Sequence, residues 1–421
     1  MPELEQNKIP KPRGILSSVA YWKTLADDLS RRLWLLDSRS LCAEAVHRTG
    51  LRDFGDPSIE PALSLLVNSL ETEADLHPRG RFLMRVHLQE LLETRLRLTQ
   101  IWKDQSKTLT EPVIERPIFI TGIPRSGSTF LHELLAEDTS NRAPRVWEVM
   151  FPIPTRINHR QKFDPRPGKA ESCLWWFRRL APGADSVYPI RAKTPHECVA
   201  IHSYTFSSEE FVSTCHVPTY ERFLHTGDLV PTYRWQKRFL QHLQLGHPNK
   251  RWVLKSPDHI YSIDKLLTVF PDAAIIQVHR NPLEVVRSQI RLTKVLEGMY
   301  ARPRGSLQLA ISETRKIEQM LGRITRFRDA HPNEAKHFID VTYRELTSSP
   351  LAVVRRIYER LDIRLTEAAT ERMRSLASAR SRYDRRSVDT PGLTDLPLEA
   401  DIRCYDDYCS RFGISFQKIC Y

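Results

Sequence analysis

The chain has 421 residues, of which 41% are hydrophobic and 27% are charged. These fractions exclude intrinsically disordered, collagen-like and fibrous proteins, and the length predicts one large domain with additions or two domains. Lys and Arg number 63 against 51 Asp and Glu, which gives a formal net charge of +12. Such an excess indicates either an anionic ligand or partner, or simply a basic solvated surface.

The sequence carries no recognisable membrane or export signal. It lacks an apolar run of the roughly 20 residues that a transmembrane segment needs, and its first residues lack the apolar stretch of a secretory signal. Its seven cysteines are scattered and include no C-x-x-C pair, which argues against a disulfide framework and a zinc ribbon. We therefore expect a cytoplasmic protein, and the sequence leaves the oligomeric state open.

Helical and strand patterns divide the chain into three parts. Residues 1–110 predict a helical N-terminal region or lid, because apolar residues recur at intervals of three and four. Residues 111–364 predict an α/β fold, a P-loop-like three-layer core with a mainly parallel sheet, because short apolar strands alternate with helices. The predicted strands are 117–121, 252–254, 275–278 and 337–341. Residues 365–421 are the predicted C-terminal cap segment.

A glycine-bearing loop, Gly122-Ile-Pro-Arg-Ser-Gly-Ser-Thr129, follows the first predicted strand and precedes a helix. Its two glycines and final threonine match the phosphate loop G-x-x-x-x-G-K-[ST], whose backbone N–H groups and helix N-terminus bind an anion. The lysine of that pattern is Ser128 here, and the cation of the loop is Arg125. The loop therefore predicts phosphate or sulfate binding and disfavours an ordinary ATP or GTP hydrolase.

Residues 124–130 resemble the 5′-phosphosulfate loop of the sulfotransferases that use 3′-phosphoadenosine 5′-phosphosulfate (PAPS). Residues 275–288 resemble the 3′-phosphate site of the same family, in which a strand ends in an arginine, an Asn-Pro turn follows, and a serine comes eight residues after the arginine. Residues 340–346 resemble a further family segment, and the helical first third is similar to a bacterial branch. The resemblance implies a PAPS-dependent sulfotransferase that needs no metal.

The resemblance also implies a role for each residue of these segments. Arg125 would contact the transferred sulfuryl group, Ser126, Gly127, Ser128 and Thr129 would hold the 5′-phosphate, and Phe130 would lie near the adenine. Arg280 and Ser288 would bind the 3′-phosphate, and Tyr343 would contact the adenine. The spacing of Arg280 and Ser288 is physically sensible, because a strand end and a position two turns into the next helix can face one phosphate.

Sulfuryl transfer to a hydroxyl or amine is expected to be an in-line displacement that needs a general base. Lys255 follows a predicted strand and so belongs at the same sheet edge as Arg125. His259 is the first candidate base, since it resembles the histidine of the family's K-T-H motif, although K-S-P-D-H has two additional residues. Glu197 is the rival, because T-P-H-E-C resembles a P-x-E-C segment of the bacterial branch, and a different residue stays open as a third possibility.

The expected acceptor is a small molecule, such as a lipid, a steroid-like compound or a secondary metabolite. Residues 175–177, two tryptophans and a phenylalanine, are candidates for an apolar acceptor pocket or for core packing. The basic run at residues 372–386 is a candidate cover for the 3′-phosphate or a solvated helix face.

Two alternative functions use the same loop. A P-loop kinase of a small molecule would need ATP and magnesium, and it lacks the lysine after Gly127. A basic nucleic-acid-binding protein could use the loop as a degenerate scaffold, but the sequence has no nucleic-acid-binding motif, so no nucleic-acid partner is expected.

Overall fold

The computed structural model describes residues 26–105, 112–154, 164–245, 250–384 and 402–415. Within these ranges a five-stranded sheet has the order β2-β3-β1-β4-β5, and every neighbouring pair is parallel. The strands are β1 (Ile118–Thr121), β2 (Asn141–Arg142), β3 (Arg251–Lys255), β4 (Ala274–His279) and β5 (Phe338–Thr342). The predicted α/β fold with a parallel sheet is confirmed, and the two-residue edge strand β2 is an addition to the four predicted strands.

Helices account for most of the remaining described chain. Before the sheet come helical residues 26–33 and the helices α1 (Ser38–Thr49), α2 (Glu60–Thr72) and α3 (Pro78–Gln105). Between β1 and β3 come α4 (Ser128–Ala136), α5 (Val146–Met150), α6 (Arg166–Leu180), α7 (Ala184–Val187), α8 (Cys198–His202), α9 (Glu209–Thr214), α10 (Pro218–Thr226) and α11 (Val230–Gln244). The later helices are α12 (Ile263–Val269), α13 (Pro282–Glu297), α14 (Ser306–Ala330), α15 (Tyr343–Ser348), α16 (Pro350–Arg360), α17 (Glu367–Asp384) and α18 (Ile402–Arg411).

Alternate residues of the strands pack on opposite faces of the sheet, which produces three layers. In β4, Ile275 joins a cluster with α13, α14 and α18, whereas Ile276 joins a cluster with α4, α16 and α17. Both side chains are fully buried. Period-two alternation of this kind is expected when helices cover both faces of a parallel sheet.

The N-terminal helices share one continuous apolar core with the sheet. Leu88 and Leu92 of α3 belong to the same cluster as Phe239 of α11 and Phe119 of β1. Arg95 of α3 is fully buried and donates to four carbonyls, those of Phe54, Gly55, Pro57 and Tyr204, at 2.7 to 3.3 Å. These bonds tie the turn before α2 to the segment after α8. The boundary predicted near residue 110 lies outside the described residues, so the three-part division stays a prediction.

Two of the later helices begin after an N-cap residue that is followed by proline. The side chain of Asn281 accepts a hydrogen bond from the Leu283 backbone at 3.0 Å and caps α13. Ser349 precedes α16 in the N-cap position, but its side chain makes no capping hydrogen bond. The α13 cap is important for the site, because this helix carries Ser288 and begins directly after Arg280.

Candidate functional site

The loop between β1 and α4 has an unusual backbone conformation. Arg125 has φ +61°, and Gly127, the N-cap of α4, has φ +95°. A Cβ atom on Gly127 would lie 2.9 Å from Cδ2 of Tyr343, so only glycine suits both the conformation and the contact. The loop consequently turns tightly and presents the first N–H groups of α4, which have no partners inside the helix.

Ser126 indicates what this loop binds. Its side chain is fully buried, yet Oγ has no hydrogen-bond partner in the described part of the chain. An unpaired buried hydroxyl is costly unless a ligand completes its hydrogen bonding. Ser128, at the first position of α4, is also buried. The hydroxyl groups and the positive end of the helix dipole fit the oxygens of a phosphate.

Positive charges converge on the same loop. Arg125 Nε donates to Ser288 Oγ at 3.1 Å, and Arg280 donates through Nη1 to the Arg125 carbonyl at 2.9 Å. Burial lowers the pKa of Arg125, and the neighbouring cations Arg280 and Arg291 lower it further. An anion placed between these guanidinium groups would relieve both the burial cost and the repulsion.

Aromatic side chains flank the loop. The guanidinium carbon of Arg280 lies 4.0 Å from the ring centroid of Tyr343, and the same ring contacts the position of Gly127. Phe130 is half-buried and packs against the apolar cluster of α4 and α16. Planar groups near a phosphate loop suit a purine ring. The structure therefore brings together the residues predicted for the loop, the 3′-phosphate and the adenine.

A lysine from β3 lies beside the loop, which has Ser128 in place of the lysine of the phosphate-loop pattern. Lys255, the last residue of that strand, is 2% exposed. Its Nζ donates to Thr129 Oγ1 at 3.1 Å and forms a salt bridge with the Glu197 carboxylate. Because β1 and β3 are parallel neighbours, their carboxyl ends place Lys255 beside the loop that follows β1.

Glu197 lies between Lys255 and a tyrosine that sequence reasoning missed. Glu197 occupies the N-cap position of α8 but makes no capping bond, so its carboxylate is directed to other partners. Tyr188 hydrogen-bonds to that carboxylate. Burial raises the pKa of Tyr188 well above its usual range, and the nearby carboxylates Glu197 and Glu210 add to this shift. No sequence motif marks Tyr188, since only the fold brings it to Glu197.

The N-terminal helices reach the same neighbourhood. His87 of α3 lies 2.9 Å from a carboxylate oxygen of Glu210 in α9. Burial opposes ionisation of Glu210, but the hydrogen bonds from His87 and Ser203 lower its pKa. Burial also lowers the pKa of His196, which favours a neutral imidazole next to Glu197. This side of the site therefore combines partly buried polar groups from α3, α9 and the segment before α8.

His259 occupies a different environment. It lies in the 3₁₀ turn Pro257–Ser262, where Nδ1 is 2.9 Å from the Tyr233 hydroxyl and the ring meets Phe119 edge-on at 5.1 Å. Burial lowers the pKa of His259 well below its usual range, and His202 and Lys255 lower it further. Its Nε2 has no partner in the described chain, and the ring borders a cavity of about 20 Å³.

Two further sequence candidates have other surroundings. Trp175 and Trp176 are 45% and 61% exposed, so they do not line an enclosed pocket. In the basic run, Arg372 donates to the Glu137 carbonyl at 2.8 Å and Arg374 pairs with Glu371. Residues 385 and 386 of that run lie outside the described residues.

Comparisons with known proteins agree with this geometry. A family model described as the sulfotransferase family matches residues 117–367. Omega-hydroxy-beta-dihydromenaquinone-9 sulfotransferase Stf3 of Mycobacterium bovis is 23% identical, with coverage of 73% of this chain and 78% of the relative. The crystal structure of sulfotransferase STF1 from Mycobacterium tuberculosis has a TM-score of 0.74 at 26% identity and covers 89% of this chain and 98% of its own. That of STF9 from Mycobacterium avium has a TM-score of 0.75 at 27% identity and covers 91% and 98%.

Proposed function

The chain belongs to the sulfotransferase family, and we propose that it moves a sulfuryl group from PAPS to a hydroxyl of a small lipid-like acceptor. One observation carries the choice of PAPS. The buried, unpartnered Oγ of Ser126 lies in a loop on which the cations Arg125 and Arg280 converge. A nucleotide with phosphate groups at both the 5′ and the 3′ position would satisfy the hydroxyl and both cations together.

Each part of the cosubstrate has a matching set of side chains. We assign the 5′-phosphate to residues 126–129 and the 3′-phosphate to Arg280 and Ser288, as the sequence resemblance implied. The adenine is assigned to the neighbourhood of Tyr343 and Phe130. Support comes from the contact of Tyr343 with both Gly127 and Arg280, because one ring then borders both phosphate sites.

We propose Glu197 as the general base, in preference to His259. Glu197 is linked through Lys255 to Thr129 of the loop, so a proton acceptor there is adjacent to the transferred group. The contacts of His259 are instead with Tyr233 and Phe119 in the protein core, and its lowered pKa makes it a weak base. Tyr188 donates to the Glu197 carboxylate and orients it.

The transfer step follows from these assignments. PAPS supplies the sulfuryl group, whose bond to the 5′-phosphate oxygen breaks as the acceptor oxygen bonds to sulfur. Glu197 accepts the proton of the acceptor hydroxyl. Lys255 and Arg125 stabilise the negative charge that accumulates on the departing phosphate oxygen. Because two protein cations supply this stabilisation, we propose that the reaction proceeds without a metal ion.

The acceptor class is proposed from the relatives. The curated relative Stf3 is named for a hydroxylated menaquinone, an isoprenoid quinone with a terminal hydroxyl. We therefore propose a hydroxylated isoprenoid or a similar lipid rather than a nucleic acid. We also propose a cytoplasmic location, which fits the five free thiols found among the described residues, those of Cys42, Cys173, Cys198, Cys215 and Cys409. No helix among the described residues is long and apolar enough to cross a membrane.

A pair of variants tests the base. Glu197→Gln keeps an acceptor for the Lys255 ammonium but cannot take a proton, so turnover should fall by about 10²- to 10⁴-fold with unchanged affinity for 3′,5′-diphosphoadenosine (PAP). His259→Gln should keep its turnover. The measurements are acceptor-dependent release of PAP and calorimetric titration of PAP, which reports whether each variant is folded. Full turnover in Glu197→Gln together with loss in a folded His259→Gln would reverse the assignment.

A further inference from the structure

Helix α6 exposes an unusual row of side chains, which we call the tryptophan stripe. It consists of Lys169, Ser172, Trp175, Trp176 and Arg179, at helical spacings that place them on one face. Trp175 and Trp176 are 45% and 61% exposed, and their rings meet edge to face with centroids 4.7 Å apart. The guanidinium of Arg179 lies 4.8 Å from the centroid of the Trp175 ring.

The opposite face of α6 fixes the helix on the protein without the tryptophans. Ala170 and Leu174 are buried in a cluster with Val146. Phe177 and Leu180 pack with Leu83 of α3 in a second cluster. Since that face makes the apolar contacts of this helix, the two exposed indole rings lie outside both clusters. Two adjacent exposed tryptophans are therefore evidence for a binding surface.

The composition of the stripe favours one kind of partner. It contains two cations and no carboxylate, while Glu171, beside the stripe, pairs with Arg178 at 2.9 Å. The whole chain has a formal charge of +12. Indole rings flanked by Lys and Arg on one face of a helix suit a bilayer surface, where the rings enter the headgroup region and the cations meet anionic headgroups. We propose that the tryptophan stripe docks the protein on an anionic lipid bilayer.

Docking would place the bilayer against a helix that lies near the reaction site along the chain. The chain continues from α6 through α7 to Tyr188, nine residues after Arg179, and Tyr188 bonds to Glu197. A lipid acceptor held in that bilayer would then approach the protein from the side that carries α6. This last consequence depends on the proposed function, whereas the docking itself does not.

Vesicle sedimentation tests the docking with the full chain and without PAPS or an acceptor. The vesicles are pure phosphatidylcholine or an equimolar mixture of phosphatidylcholine and phosphatidylglycerol. The wild-type protein should bind the mixed vesicles and release them at high salt. Trp175→Ser with Trp176→Ser should weaken the binding about tenfold, and Lys169→Glu with Arg179→Glu should weaken it at least as much on the mixed vesicles.

A matched control uses another exposed apolar pair. Leu307 and Ile311 of α14 are 52% and 44% exposed, and Leu307→Ser with Ile311→Ser should bind vesicles like the wild type. The proposal is overturned if the wild type binds neither vesicle, or if the tryptophan variant binds as well as the wild type. It is also overturned if the tryptophan variant loses only a self-association seen by sedimentation velocity, because the stripe would then bind a second copy of the chain.

Discussion

Replacement of Arg280 by alanine should remove the discrimination between PAP and AMP. Arg280 is partly buried, with 22% of its side chain exposed, and it is held by the Arg125 carbonyl and by Glu284. A hydrogen bond from a charged donor contributes about 1.5 to 3 kcal/mol, which corresponds to about 10- to 150-fold in affinity. Calorimetry should therefore show that Arg280→Ala loses this factor for PAP, whereas AMP, without a 3′-phosphate, changes little.

The ratio of the two affinities separates recognition from loop distortion. Arg280 also contacts Tyr343, so any change that its loss causes in the loop affects both ligands, and this common part cancels in the ratio. Glu284→Gln is a matched control, because it removes the carboxylate partner and leaves the arginine in place. Equal losses for PAP and AMP in Arg280→Ala would refute a direct contact with the 3′-phosphate, and so would an unchanged affinity for PAP.

Three further predictions concern the loop, acid stability and the core. Gly127→Ala should weaken PAP binding and lower the free energy of unfolding by about 1 to 3 kcal/mol, since alanine is strained at φ +95° and its Cβ meets Tyr343. Calorimetry measures the binding and urea unfolding measures the stability. Wild-type values in both assays would contradict this role of Gly127. Burial lowers the pKa of His202 to about 4, below its unfolded value of about 6.5, so the folded state binds fewer protons and the free energy of unfolding should fall by about 3 kcal/mol as the pH drops through that window. Urea unfolding at several pH values should show a flatter profile in His202→Gln, and an equally steep profile would contradict the reasoning. Arg95→Ala should lower the free energy of unfolding by at least about 3 kcal/mol, because buried carbonyls lose their hydrogen-bond donor. The control Arg97→Ala, at an exposed position of the same helix, should change it by less than about 0.5 kcal/mol. Similar values for the two variants would be evidence against the buried network.

The residues on the nucleotide side of the site could be predicted from local patterns in the sequence. The loop at residues 122–129 could be predicted because strand, loop and helix are contiguous, and Arg280 and Ser288 because their spacing belongs to one strand end and one helix. In the structure, Arg125 contacts Ser288, and Arg280 contacts Tyr343. These contacts follow from the order of the strands, because β1, β4 and β5 are parallel neighbours whose carboxyl ends meet at one edge. Their roles in binding PAPS stay predictions.

The acceptor side could be predicted only in part, as the candidates Glu197 and Lys255, because their contacts depend on the tertiary structure. Glu197 stands in a segment that resembles the family, but Tyr188, nine residues earlier, lies in no motif, and the two meet only through the path of the chain around α7. The first candidate base, His259, follows from a resemblance to the family's K-T-H motif, but residues 257–262 form a 3₁₀ turn that carries the ring toward Phe119. The apolar spacing that includes Leu29 and Leu33 agrees with the helical residues 26–33 but does not report burial, since the two side chains are 53% and 61% exposed.

The most direct test is transfer of radiolabelled sulfur from PAPS to a panel of hydroxylated isoprenoid quinones, sterols and phenols, with a chelator present. The account predicts an acceptor-dependent sulfated product, one PAP released for each product molecule, and loss of both in Glu197→Gln. Transfer of phosphate from ATP with magnesium, or release of PAP that is independent of every acceptor, would contradict it.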